Sequence, residues 1–156
     1  MNELLKKTFR FSWRGILILF VLLIIALVWG LIQFSNSSQN LGIKKEFIDY
    51  NISSLIIFVL FVFSFLLGIY CTNFTFSKKQ FSSKIISSIV GLFVSVFSFY
   101  IFFYVFGFII LLINMYFNII SDFFAQDMGI ISFILAVFVA IIVGITGLIL
   151  GVKSVK

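Results

Sequence analysis

The chain has 156 residues, 63% of them hydrophobic and 10% charged, and carries a net charge of +6. Soluble domains have about a quarter of their residues charged, so this composition leaves too little polar surface for a protein that faces water on all sides. Histidine and proline are absent and Cys71 is the sole cysteine, which excludes imidazole ligands, His-based acid–base chemistry, internal disulfides and CxxC sites.

Residues 3–14, ELLKKTFRFSWR, form a short N-terminal amphipathic segment. Lys6, Lys7, Arg10 and Arg14 share one side of a helix there, with Leu4, Leu5, Phe9 and Phe11 on the others. Such a segment lies at the headgroups with its cations toward anionic lipid, a position that argues against nucleic acid as a partner. A first membrane span is expected over about 15–34. Its apolar run is too long for a signal-peptide core and no small-x-small cleavage site follows, so it reads as a retained signal anchor. Gly15, Ala26, Gly30 and Gln33 fall on one face of it.

Residues 35–51, SNSSQNLGIKKEFIDYN, read as a polar loop in which Lys44 and Lys45 are balanced by Glu46 and Asp49. The second span is expected over about 52–72, with Ser53, Ser54, Ser64, Gly68, Cys71 and Thr72 clustered on one side. Cys71 reads as a small packing residue, because nothing basic lies within a turn of it.

The next connection, NFTFSKKQFSSK, carries Lys78, Lys79 and Lys84 and no acid. The uncharged run from Ile85 to Ser121 would be about 55 Å long as one helix, more than a single crossing needs. A third span is therefore expected over about 87–110, with Ser87, Ser88, Gly91, Ser95 and Ser98 on a packing arc. Residues 111–126 then either extend that helix or lie flat at the outer surface as an interfacial helix. Asn114, Asn118 and Asp122 line one stripe of it and are the candidates for contact with a partner at the outer face. Asp122 and Asp127 are expected in a short loop before the fourth span.

That fourth span, Gly129 to Gly151, carries the clearest pattern. Gly129, Ser132, Ala136, Ala140, Gly144, Gly147 and Gly151 gather within roughly a third of the helix circumference. Small side chains along one face let another backbone approach closely, so this stripe reads as a packing face or a partner's docking face.

The expected class is thus an all-α integral membrane protein, a four-transmembrane-helix bundle forming a single domain over 1–156. Topology follows from the cations. With both termini in the cytoplasm, every Lys and Arg except Lys44 and Lys45 lies on the inner side, as the positive-inside rule requires of short loops. The expected lipid-headgroup contacts are Lys6, Lys7, Arg10, Arg14, Lys78, Lys79 and Lys84. The abundance of Phe, Ile, Lys and Asn points to an AT-rich bacterial genome and a cell-membrane location.

No Asp, Glu, Lys or Arg falls inside any expected span, whereas proton-coupled carriers and pumps place them there. Small multidrug exporters use an embedded Glu, and four-span disulfide oxidoreductases need cysteine pairs; neither feature is present. The sequons at Asn36, Asn51 and Asn73 read as coincidence in an Asn- and Ser-rich chain. No catalytic, cofactor or metal constellation is expected. The reading is a non-enzymatic protein acting through helix–helix contacts, either an accessory subunit of a transport or secretion complex or a toxin-immunity protein. A small channel, holin-like pore or carrier for an uncharged solute, as a single chain or a homo-oligomer, is the alternative, with Ser64, Ser95, Ser98 and Thr146 lining the path.

Overall fold

The computed structural model describes residues 3–36, 43–78, 81–117 and 123–155. They form four successive helices, α1 (Glu3–Asn36), α2 (Ile43–Lys78), α3 (Lys84–Phe117) and α4 (Phe123–Ser154), and no strand appears among the described residues. Each helix contains a stretch long and apolar enough to cross a membrane: Glu3–Trp29, Ile52–Lys78, Lys84–Phe117 and Ser132–Ser154. With no proline in the chain, nothing interrupts the i→i−4 ladders. Ser83 caps α3, its carbonyl accepting the Ser87 N–H at 3.0 Å. Phe76 and Phe81 close the α2–α3 turn edge to face, with centroids 5.4 Å apart.

The helices run past the spans expected from sequence at both ends, which corrects several expected boundaries. The amphipathic segment 3–14 is not separate from the first span, since α1 continues unbroken from Glu3. The 35–51 stretch is not a loop throughout: α1 reaches Asn36 and α2 begins at Ile43. No glycine or proline stands between Ile43 and Asn51 to break that helix. Residues 111–117 continue α3, while 123–126, and Asp127 with them, belong to α4. Residues 118–122 lie outside the described part.

Helix α2 occupies the centre, touching all three others. The broadest contact is α3 against α4; α1 packs on α2, touches α4 only slightly, and makes no contact with α3 among the described residues. Neighbouring helices are antiparallel. Thr8 meets Asn73 across α1–α2, Thr72 meets Ser95 across α2–α3, and Ser87 meets Gly151 across α3–α4. The core between α2, α3 and α4 is built from Phe65, Ile69, Phe99, Val139 and Val143, all fully buried. Phe61 stacks on Phe99 and Phe103 at 6.2 and 5.1 Å. Offset stacking of this kind adds about 0.5–1.5 kcal/mol per pair beyond area burial.

Candidate functional site

Four helix-to-helix hydrogen bonds, Thr8–Asn73, Thr72–Ser95, Ser87–Gly151 and Ser87–Ser154, gather toward one end of the bundle, where α1 and α3 begin and α2 and α4 end. At the α3–α4 seam, Ser87 Oγ donates to the Gly151 carbonyl at 2.6 Å and stands 2.7 Å from Ser154 Oγ, which itself reaches the same carbonyl at 2.7 Å. Two hydroxyls own two hydrogens between them, so only two of these three contacts are made at once. Both hydrogens on Gly151 O is one such arrangement, because a carbonyl has two lone pairs. This triangle is possible because Gly151 has no side chain: a Cβ there would lie 2.5 Å from Ser87 O.

One turn deeper, Gly91 and Gly147 bring the two backbones together. A Cβ on either would overlap the other's carbonyl oxygen. Ser95 Oγ sits beside the bare Cα of Gly147 and pairs with Thr72 Oγ1 of α2. Thr72 donates to its own helix at Gly68 O, 2.9 Å away, which leaves Ser95 as the donor in the pair. A single buried hydroxyl thereby joins three helices. On the other side of α2, Asn73 Nδ2 donates to Thr8 Oγ1 at 3.0 Å while Thr8 donates to Leu4 O. Asn73 is 9% exposed, so the sequon around it has its amide nitrogen committed inside the fold.

The predicted residues distribute over this frame as follows. Gly91, Ser95, Gly147 and Gly151 meet at the α3–α4 seam, with Gly144 beside Val96, whose Cγ2 a Cβ there would meet at 3.3 Å. Ala136 and Ala140 are buried in the apolar core, whereas Ser98 and Ser132 are half-buried. Thr146 turns its hydroxyl onto its own helix, 2.7 Å from Ile142 O. Lys6, Lys7, Arg10, Arg14, Lys78, Lys84 and Lys153 are all exposed, at the same end as the hydroxyl seam. Asn114 is half-buried on α3; Asn118, Asp122 and Lys79 lie outside the described residues. Cys71 is a free, half-buried thiol. Among the described residues no three carboxylate, thiol or imidazole groups come together.

Sequence reasoning missed the Thr8–Asn73 bond, having placed Asn73 in a connection. Its signal was the i, i+4, i+8 series Phe65, Ile69, Asn73, which continues a buried face past the apolar run. It also gave Ser64 and Ser95 equal weight. Ser64 is fully buried yet its Oγ has no hydrogen-bond partner, and Ser53 shares that state. Ser95→Ala should lower stability by about 0.5–1.5 kcal/mol, the range for interhelical hydrogen bonds in lipid, whereas Ser64→Ala should be neutral or stabilising because it removes an unsatisfied group. Denaturation midpoints in bicelles would separate the two.

Comparison with protein-family models, curated proteins and solved structures finds no match to this chain. The fold and the surface it exposes are therefore what the functional reading rests on.

Proposed function

We propose that the chain is a non-enzymatic multi-pass protein of the cell membrane, with both termini cytoplasmic, that works by binding another membrane component. An accessory subunit of a transport or secretion complex and an immunity protein against a membrane-directed toxin both fit this reading. The observation that carries it is the outward face of α3. Phe93, Phe97, Tyr104, Phe108 and Met115 follow one another at helical spacing and are 62–83% exposed. An apolar surface of that extent belongs against lipid or another protein. The small residues of α3 and α4 are already spent on each other, so a partner helix would meet the outer sides of α1 or α3.

The channel reading draws support from the buried, unpartnered hydroxyls of Ser53 and Ser64. They stand about 16 Å apart along α2, and Leu60 and Phe61, both buried, lie between them. That spacing favours a closed interior. Affinity purification from native membranes in mild detergent, with mass spectrometry of what co-purifies, tests the choice. A stoichiometric membrane partner is the expected outcome. A homogeneous homo-oligomer that passes ions or small polyols in proteoliposomes, and stops doing so with Ser95→Leu, would replace it with the channel.

A further inference from the structure

Lys153, in the last turn of α4, holds its ammonium 5.0 Å from the centroid of the Phe11 ring on α1. Phe11 is flanked on its own helix by Lys7 one turn before and Arg14 one turn after, on the same side at i−4 and i+3. The α1–α4 seam therefore opens with the Lys153 ammonium on the half-buried Phe11 ring and with Lys7 and Arg14 on the same side of α1, the Arg14 guanidinium carbon lying 5.8 Å from the neighbouring Trp13 ring. Glu3 is the carboxylate on that stretch of α1, one turn from Lys7, and no ion pair forms among the described residues. Three unneutralised cations drawn together by the packing of two helices call for an anion from outside the chain.

The surface beyond the cations identifies the kind of anion. One and two turns deeper the same sides of the two helices present Ile18 of α1 and Ile149 of α4, which are 47% and 44% exposed, followed by half-buried Leu22 and Ile142. Because α1 touches α4 only slightly, this apolar strip stays uncovered by the chain itself. We propose that the α1–α4 seam binds one anionic phospholipid, its phosphate held by Lys7, Arg14 and Lys153 and an acyl chain lying along Ile18, Leu22, Ile142 and Ile149. The site rests on the membrane reading above and goes beyond diffuse attraction to the headgroups, because it requires cations from two helices at one place.

The full chain is reconstituted in vesicles of phosphatidylglycerol and phosphatidylcholine, released into mild detergent and examined by native mass spectrometry. Wild type retains one phosphatidylglycerol per chain in preference to phosphatidylcholine. Lys153→Gln and Arg14→Gln each lower that retention about fivefold, the fold-change for one juxtamembrane cation. Lys84→Gln, which removes a headgroup cation at the same end but on α3, outside the seam, lowers it clearly less than either seam variant. Equal losses for Lys84→Gln and Lys153→Gln, or equal retention of the two lipids, would overturn the site while leaving the membrane reading intact. A chain washed out of the vesicles by alkaline carbonate would remove both.

Discussion

Gly91→Ala and Gly147→Ala should each destabilise the protein by about 2–3 kcal/mol, the upper part of the range for overpacking a filled interior. The added methyl of Gly91→Ala overlaps the Gly147 carbonyl oxygen and lies 3.1 Å from the carbonyl carbon behind it. The methyl of Gly147→Ala overlaps Gly91 O and Ser95 Oγ, with Gly91 C at 2.8 Å. These obstacles are backbone, which cannot rotate aside, so the helices must separate. Separation also pulls Ser95 from Thr72 and Ser87 from Gly151, so the loss spreads along the seam. Two other glycines serve as controls. Gly144→Ala would meet the end of the Val96 side chain at 3.3 Å, and Gly107→Ala nothing within 4 Å; both should stay within about 0.5 kcal/mol of wild type. Because Gly91 and Gly147 share one contact, the double variant should cost clearly less than the sum of the singles. Unfolding by SDS titration, followed through a dye pair on α3 and α4, gives the numbers. Uniformly small losses would mean that α3 and α4 are not in backbone contact.

The glycine case shows where the sequence was legible and where it stopped. Gly144, Gly147 and Gly151 fall on one face by helical period alone, and so do Ser87, Gly91 and Ser95. Which of them meets backbone and which meets a yielding side chain depends on the register between α3 and α4, and no single helix encodes that. The number and apolar character of the helices were plain from hydropathy. Their ends were not, because hydropathy reports where apolar residues stop and says nothing about where the hydrogen-bond ladder stops. Ile43–Asn51 is polar enough to read as loop, yet it contains no glycine or proline and is helical. Asn73 was misplaced for the same reason. Its bond to Thr8 spans 65 positions, beyond the reach of any local pattern. The cation pattern needed only the order of the elements: once neighbouring helices are antiparallel, the basic ends of all four fall together.

Gly15→Leu should detach α1 while leaving the α2–α3–α4 core folded, and its comparison with Phe65→Ala should report the solvent around the bundle. The Phe65 ring fills the space where Gly15 lacks a side chain: a Cβ on Gly15 would overlap the ring, with its nearest other atoms at 2.8 and 2.9 Å. Phe65 is fully buried, so the ring has nowhere to turn, and the cost of Gly15→Leu should reach about 3 kcal/mol. That cost is set against the rest of the α1 attachment, in which buried Leu19, with Phe11 and Ile16 beside it, packs on the core. The Thr8–Asn73 bond is worth about 1 kcal/mol, and the edge contact of Phe20 on Phe58, with centroids 6.3 Å apart, is of the same order. In a Cys71→Ser background, Thr8→Cys and Asn73→Cys should form an oxidative crosslink in the parent and several-fold less of it with Gly15→Leu. Crosslinking that persists undiminished would show that α1 is held by other contacts. Phe65→Ala works in the opposite sense, opening a hole instead of filling one. In a water-solvated protein such a truncation costs about 3–5 kcal/mol, of which a large part is the lost transfer of the ring out of water. Helices that separate within lipid keep the ring in an apolar medium, so that part vanishes and only the cavity and lost packing remain. A cost near 2 kcal/mol is therefore expected in bicelles, whereas 4 kcal/mol or more would mean that the separated helices meet water.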